Sequence, residues 1–350
     1  MRLFAVAALA LTLVEPALPR WETERSGVSA RLRGVSAVSD TAAWASGASG
    51  TVLRTADGGT TWTKLPVAGA EKLDFRDVDA VSETTAWILS IGNGNASRIY
   101  KTTDGGGHWT LQFQNDDGKA FFDAMAFWDP QHGLALSDSV DGHFVILTTA
   151  DGGTTWTRVS PEGLPPALPN EGGFAGSGTN IAVQPGGRAW IGTGAAANAR
   201  MLVTADGGGH WRVVDTPVAS SPSAGIFSVA FRDARHGLTV GGDYQRENEA
   251  IDNAAATTDG GVSWRIVQGL GGFRSVVAFA PGSQSSWIAV GPQGADWSDD
   301  DGRTWTAIPG DGYHAFSFSP SGHVGWGVGE GGRIGRLRVN SATPQLATPK

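Results

Sequence analysis

The chain has no cysteine. That one absence excludes disulfides, thiolate zinc sites, iron–sulfur clusters and a cysteine nucleophile together. Charge is also scarce, at 17% of residues against the usual quarter or so, and 26 Lys and Arg against 34 Asp and Glu leave a formal net charge of −8. No run of Lys or Arg occurs anywhere, which excludes nucleic acid and anionic membrane surfaces as partners, since both need a concentrated positive patch. Downstream of residue 14 no apolar run approaches the ~18 residues that would span a bilayer, so no membrane insertion of the mature chain is expected. What the chain does have is 51 glycines and 14 tryptophans. The glycines follow no Gly-X-Y period, so collagen is excluded and a fold rich in turns and short strands is indicated.

The first residues differ in kind. Met1-Arg2 precedes an apolar run from Leu3 to Val14 broken only by Thr12, followed by Glu15, Pro16 and Pro19. Twelve helical residues rise only about 18 Å, short of a hydrocarbon core of about 30 Å, so the segment reads as the apolar region of a secretory signal. The expected division is a signal peptide over 1–19, one domain over 20–339 and a loose tail over 340–350. A periplasmic or secreted location follows.

A motif recurs down the domain: Thr55-Ala56-Asp57-Gly58-Gly59-Thr60-Thr61-Trp62, then Thr102 to Trp109, Thr149 to Trp156, Thr204 to Trp211, Thr257 to Trp264 and Ser298 to Trp305. Its aspartates, Asp57, Asp104, Asp151, Asp206, Asp259 and Asp300, are spaced 47, 47, 55, 53 and 41 residues apart, a period that marks a solenoid or propeller. The intervening runs are short, β-branched or aromatic, and separated by Gly, Asp and Ser. Four such strands make a blade. The stretch after Gly310 has three strands and no aspartate motif, while Trp21-Glu22-Thr23 matches the residues that follow each motif. The expected fold is therefore all-β: a single seven-bladed β-propeller with six aspartate hairpins, its ring closed by an N-terminal strand. Each aspartate is expected to accept hydrogen bonds from its own turn, with no metal, because five of the six copies carry a single acid and the terminal Glu of a calcium loop is missing.

The repeated (Ser/Thr)-x-Asp-x-Gly-x-(Thr/Ser/His)-Trp resembles the Asp-box, or BNR, repeat. The whole pattern, from about Trp21 to Val339, resembles the photosystem II stability/assembly factor-like family, and more distantly the propellers of sialidases and xyloglucanases. The resemblance implies a lumenal or periplasmic propeller that assists assembly of a membrane complex.

In such a ring the loops entering the first strands and leaving the second strands share a face. Aligning first strands on their Ala-Val or Ala-Phe ends places Arg33, Arg76 and Arg274 at one position beside the channel, and Gly34, Asp77, Asp123, Phe227, Ser275 and His314 at the next. The second-to-third-strand loops are expected to add Arg98, Asp138, Asp141, Arg200, Glu330, Asp243 and Tyr244. Ser160 to Phe174, with four prolines and the acids Glu162 and Glu171, is longer than a connection requires.

These residues support a non-catalytic module that binds a protein partner or membrane-complex subunit through Arg33, Arg76, Arg98, Arg200, Arg274, Asp243, Tyr244 and His314. An alternative is a glycoside hydrolase using a carboxylate pair drawn from Asp77, Asp123 and Asp138, which needs separations of about 5 to 10 Å. Arginine neighbours oppose that role, because they depress a carboxyl pKa where a general acid needs it raised. A third is capture of a small anion or glycan by Arg76, Arg98, Arg200 and Arg274. No cofactor is expected, since no dinucleotide fingerprint or Gly-x-Ser-x-Gly elbow is present. The chain is expected to be a monomer.

Overall fold

The computed structural model describes residues 18–339; the expected tail and all but the last two residues of the expected signal peptide lie outside the described residues. Alternating short strands and Gly-rich turns build seven four-stranded antiparallel sheets, and the only helical pieces among the described residues are three 3-10 turns. Blade 1 runs outward from the channel as Leu32–Ala37, Ala43–Gly47, Thr51–Thr55 and Thr63–Lys64. The innermost strands of blades 2 to 7 are Asp74–Ala80, Phe122–Phe127, Ile181–Gln184, Ala224–Phe231, Val276–Phe279 and Ala315–Phe318. Blade 7 takes its outer strand from the other end of the chain: Arg20–Arg25 lies antiparallel to Arg333–Arg338, with Trp21 opposite Leu337. The fold is a seven-bladed β-propeller closed by an N-terminal strand.

The aspartate turns explain part of the glycine excess. In the first copy Asp57 accepts from the Thr61 N–H at 2.9 Å and from the Thr55 and Thr61 hydroxyls at 2.9 and 2.7 Å. All six aspartates make the corresponding bond to the backbone four residues on. Each carboxyl is held below its ordinary range by these bonds.

The second-strand tryptophans fasten blade to blade. Trp44, Trp87, Trp190, Trp287 and Trp326 are all buried. Trp87 stacks on Phe127 of blade 3 at 3.9 Å, and Trp190 stacks on Phe231 of blade 5 at 3.8 Å. The indole N–H groups of Trp44, Trp87 and Trp190 donate to carbonyls of the next blade along. Each of these three rings therefore contributes both apolar area and a satisfied polar tip across the junction.

Candidate functional site at the channel mouth

Four innermost strands carry a β-bulge near their entrance. The unpaired residue is Arg33 in blade 1, Arg76 in blade 2, Asp123 in blade 3 and Phe227 in blade 5. A bulge re-aims one side chain, and here it turns these four toward the channel mouth. This corrects the alignment made from residue types. Asp123 and Phe227 are equivalent to Arg33 and Arg76, not to Asp77, because Phe127 lies opposite Gly133 in the position that Ala37 holds opposite Ala43. Arg274 shifts the other way: its N–H donates to the neighbouring blade at Gly241 as the N–H of Leu32 does at Gly329.

The connector from blade 3 to blade 4 crosses the mouth. Its anchor is Glu171, whose carboxylate accepts from Arg200 Nε at 2.9 Å, Arg200 Nη2, Thr193 Oγ1 at 2.7 Å and the Leu168 N–H at 2.8 Å. Residues 172–178 then reach five blades. Arg33 and Arg76 donate to the carbonyls of Gly176 and Ala175 at 3.4 and 2.8 Å. The Gly173 N–H donates to Asp138 at 2.9 Å, Ser177 donates to the Ser275 carbonyl at 2.9 Å, and Phe174 stacks on Phe227 at 4.0 Å. The glycines permit the approach: a Cβ on Gly173 would sit 3.0 Å from Asp123 Oδ2, and Gly178, at φ +78°, would drive one into the Asp77 carboxylate.

Between this connector and the rim is a cavity of about 410 Å³. Arg33, Arg76, Asp123, Asp138 and His314 line it with the aromatic rings of Phe121, Phe174, Phe227, Tyr244 and Phe273. Asp138 reaches it because it belongs to the second strand, Gly133–Val140, at an irregularity between Ser137 and Ser139, and not to the following loop as expected. Burial pushes both acids up, Asp138 to about 6 and Asp123 well above its ordinary value, where the Asp138 charge adds to the burial. Burial lowers His314 to about 4, with Arg33 adding to the effect, although Glu330 accepts its Nε2 at 3.0 Å. Burial and the neighbouring Arg76 charge bring Arg33 down to about 10.

Several expected site residues lie elsewhere. Asp77 is buried between blades 2 and 3, where it accepts the Met125 N–H at 2.8 Å, so the acid that shares the cavity with Asp123 is Asp138. Arg200 and Arg274 are spent in buried ion pairs, Arg200 with Glu171 and Arg274 with Asp296 at 2.6 Å. Neither offers a free guanidinium to an anion, because the low-charge interior holds each against its own carboxylate. Arg98 and Arg200 begin third strands, and Arg98 bonds locally to the Asn95 carbonyl and the Tyr100 hydroxyl. Asp243 closes its own loop base by accepting the Gln245 N–H and Arg246 Nε. Tyr244 stands 44% exposed at the rim, its ring T-shaped against Phe174 and Phe227. Sequence reasoning missed residues 172–178 as the channel cover; their one signal was a glycine-rich stretch that belongs to no repeat.

The fold and this mouth define a seven-bladed β-propeller whose channel is stoppered by its own connector above a charged, aromatic-walled cavity. No family model and no curated protein matches the sequence. Among solved structures, the chain is similar to YCF48 bound to D1 peptide, with a TM-score of 0.66 and 17% identity over 93% of this chain and 99% of that one. It is similar to YCF48 from Cyanidioschyzon merolae at a TM-score of 0.66 and 19% identity, covering 91% and 98%. The WD40 propeller domain of Doa1 matches at 0.62 and 12%, covering 93% and 99%. At these identities the likeness is one of fold.

Proposed function

We propose that the chain is an exported, non-catalytic propeller that binds a partner protein across its loop face, in the manner of an assembly or stability factor for a membrane complex. The observation that carries this reading is the concave mouth itself. It combines exposed Tyr244, a stacked aromatic wall and the Arg33 and Arg76 side chains on the one face built by the long loops. Buried aromatic and arginine anchors inside a polar rim are the features that give protein interfaces their affinity. The YCF48 bound to D1 peptide lends support as a propeller of like fold with a peptide bound. The test is retention of proteins from a membrane extract of the source organism on wild type and on an Arg33→Ala/Tyr244→Ala variant of unchanged melting temperature. The wild type should retain a discrete partner that the variant loses; identical retention by both would end the reading.

The carboxyl pair Asp123 and Asp138 favours a second reading, since two acids raised by burial in one cavity suit glycoside hydrolysis. Turnover on a glycan panel that disappears in Asp123→Asn would replace the binding reading with it.

A further inference from the structure

The cavity at the mouth has two electrostatic poles whose capacity the protein does not use up. At the acidic pole Asp123 is 2% exposed, and its Oδ2 finds no hydrogen-bond partner among the described residues. Asp138 beside it receives one N–H, from Gly173. At the basic pole the two arginines differ. Arg76 Nε is paired with Asp74 at 3.0 Å and its Nη1 with a carbonyl at 2.8 Å. Arg33 forms no ion pair among the described residues, its Nε is buried without a partner, and its one hydrogen bond is a long one of 3.4 Å. His314 also lines the cavity, and its Nδ1 is buried and unpartnered among the described residues. Phe227, Phe273 and Tyr244 form an apolar wall of the same cavity, with Phe227 and Phe273 meeting edge to face at 4.7 Å. A buried polar atom without a partner costs about 1–3 kcal/mol, a cost that a ligand bonding to it removes.

A lone cation would satisfy one pole and a lone anion the other. Their coexistence selects a molecule carrying both charges, and about 410 Å³ lies at the small end of ligand pockets, which run from about 300 to 1,000 Å³. We infer that the cavity binds a free, compact zwitterion of the α-amino-acid class. Its ammonium sits on Asp123 and Asp138, its carboxylate on Arg33, and its apolar side chain against Phe227, Phe273 and Tyr244. The inference goes beyond partner binding, because the ligand is a small molecule held inside the ring.

Calorimetric titration of the whole chain tests it with four probes: leucine, phenylalanine, N-acetylphenylalanine and phenylalaninamide. The two free amino acids should bind, and the acetylated and amidated forms should each bind at least about tenfold more weakly. Asp123→Asn should weaken phenylalanine about tenfold and leave N-acetylphenylalanine unchanged. Arg33→Gln should weaken phenylalanine and leave phenylalaninamide unchanged. The wild-type comparison of free and blocked ligands stands even if a variant misfolds. No binding of either amino acid at millimolar concentration, or equal binding of the blocked forms, overturns the inference. Neither result touches retention of a protein partner, which the extract experiment reads separately.

Discussion

At Glu171 a side chain 0% exposed accepts hydrogen bonds from Arg200, Thr193 and the Leu168 backbone, and thereby fixes where the connector turns into the channel. Truncating one member of a buried ion pair leaves the other uncompensated, at a cost of about 3–5 kcal/mol. Glu171→Ala is therefore expected to lower the unfolding free energy from urea titration by that amount, and the double replacement Glu171→Leu/Arg200→Met to recover most of it. A single variant within about 1 kcal/mol of wild type would show that the connector is held elsewhere. The residue scale is also where a sequence says least about availability. Arg33, Arg200 and Arg274 are the same residue type near the same face, yet two are locked against Glu171 and Asp296 and one makes no ion pair among the described residues. The carboxylates that make the difference come from distant blades or loops, so no local pattern could separate them.

At the scale of elements, the junction between blades 2 and 3 is made by two acids, Asp77 buried and Asp79 half-buried. Asp77 accepts the Met125 N–H and Asp79 the Phe127 N–H, each at 2.8 Å, where serines do the same work at other junctions: Ser36 toward Ala80 and Ser228 toward Val277. Burial raises Asp77 to about 8 and Asp79 to about 6 from an ordinary 3.8. The folded chain thus keeps protons that the unfolded chain releases above about pH 4. The stability they contribute is complete below that pH and is lost as pH rises through 6 and 8. Asp77→Asn, which mimics the protonated acid, is expected to match wild type near pH 4 and to melt higher than wild type near pH 8.5; parallel melting curves at both pH values would refute this. The elements themselves were legible, because strand-length apolar runs and one aspartate turn per unit repeat with a fixed period. The bulges were not. An extra unpaired residue leaves no mark in composition, so Asp123 aligns by residue type with Asp77 although it holds the position of Arg33 and Arg76. Residues 172–178 were opaque for a related reason: glycines chosen for close approach to carboxylates read as any other loop.

Across the whole molecule, seven sheets share one ring, and its closure rests on a six-residue strand. Trp21 lies 4.5 Å from Tyr313 and meets Phe316 edge to face, the Trp62 indole donates to Glu24 at 2.9 Å, and Arg338 Nε pairs with Glu22 at 2.8 Å. Removing residues 1–26 should lower the melting temperature by more than Trp21→Ala alone and produce higher-order species on size exclusion, since it uncovers the edge of Arg333–Arg338. A truncated chain that elutes and melts as the full chain does would show that the seam carries little. The same seam dictates an order of events. Glu22 and Arg338 stand 316 residues apart, so the strand made first finds its partner last. Six blades can form from neighbouring segments, whereas the seventh must bring the two ends together against the entropy of nearly the entire chain. Refolding should accordingly end in one slow phase that reports on Trp21, and until that phase is over the edge of Arg333–Arg338 stands open to the edge strand of another molecule.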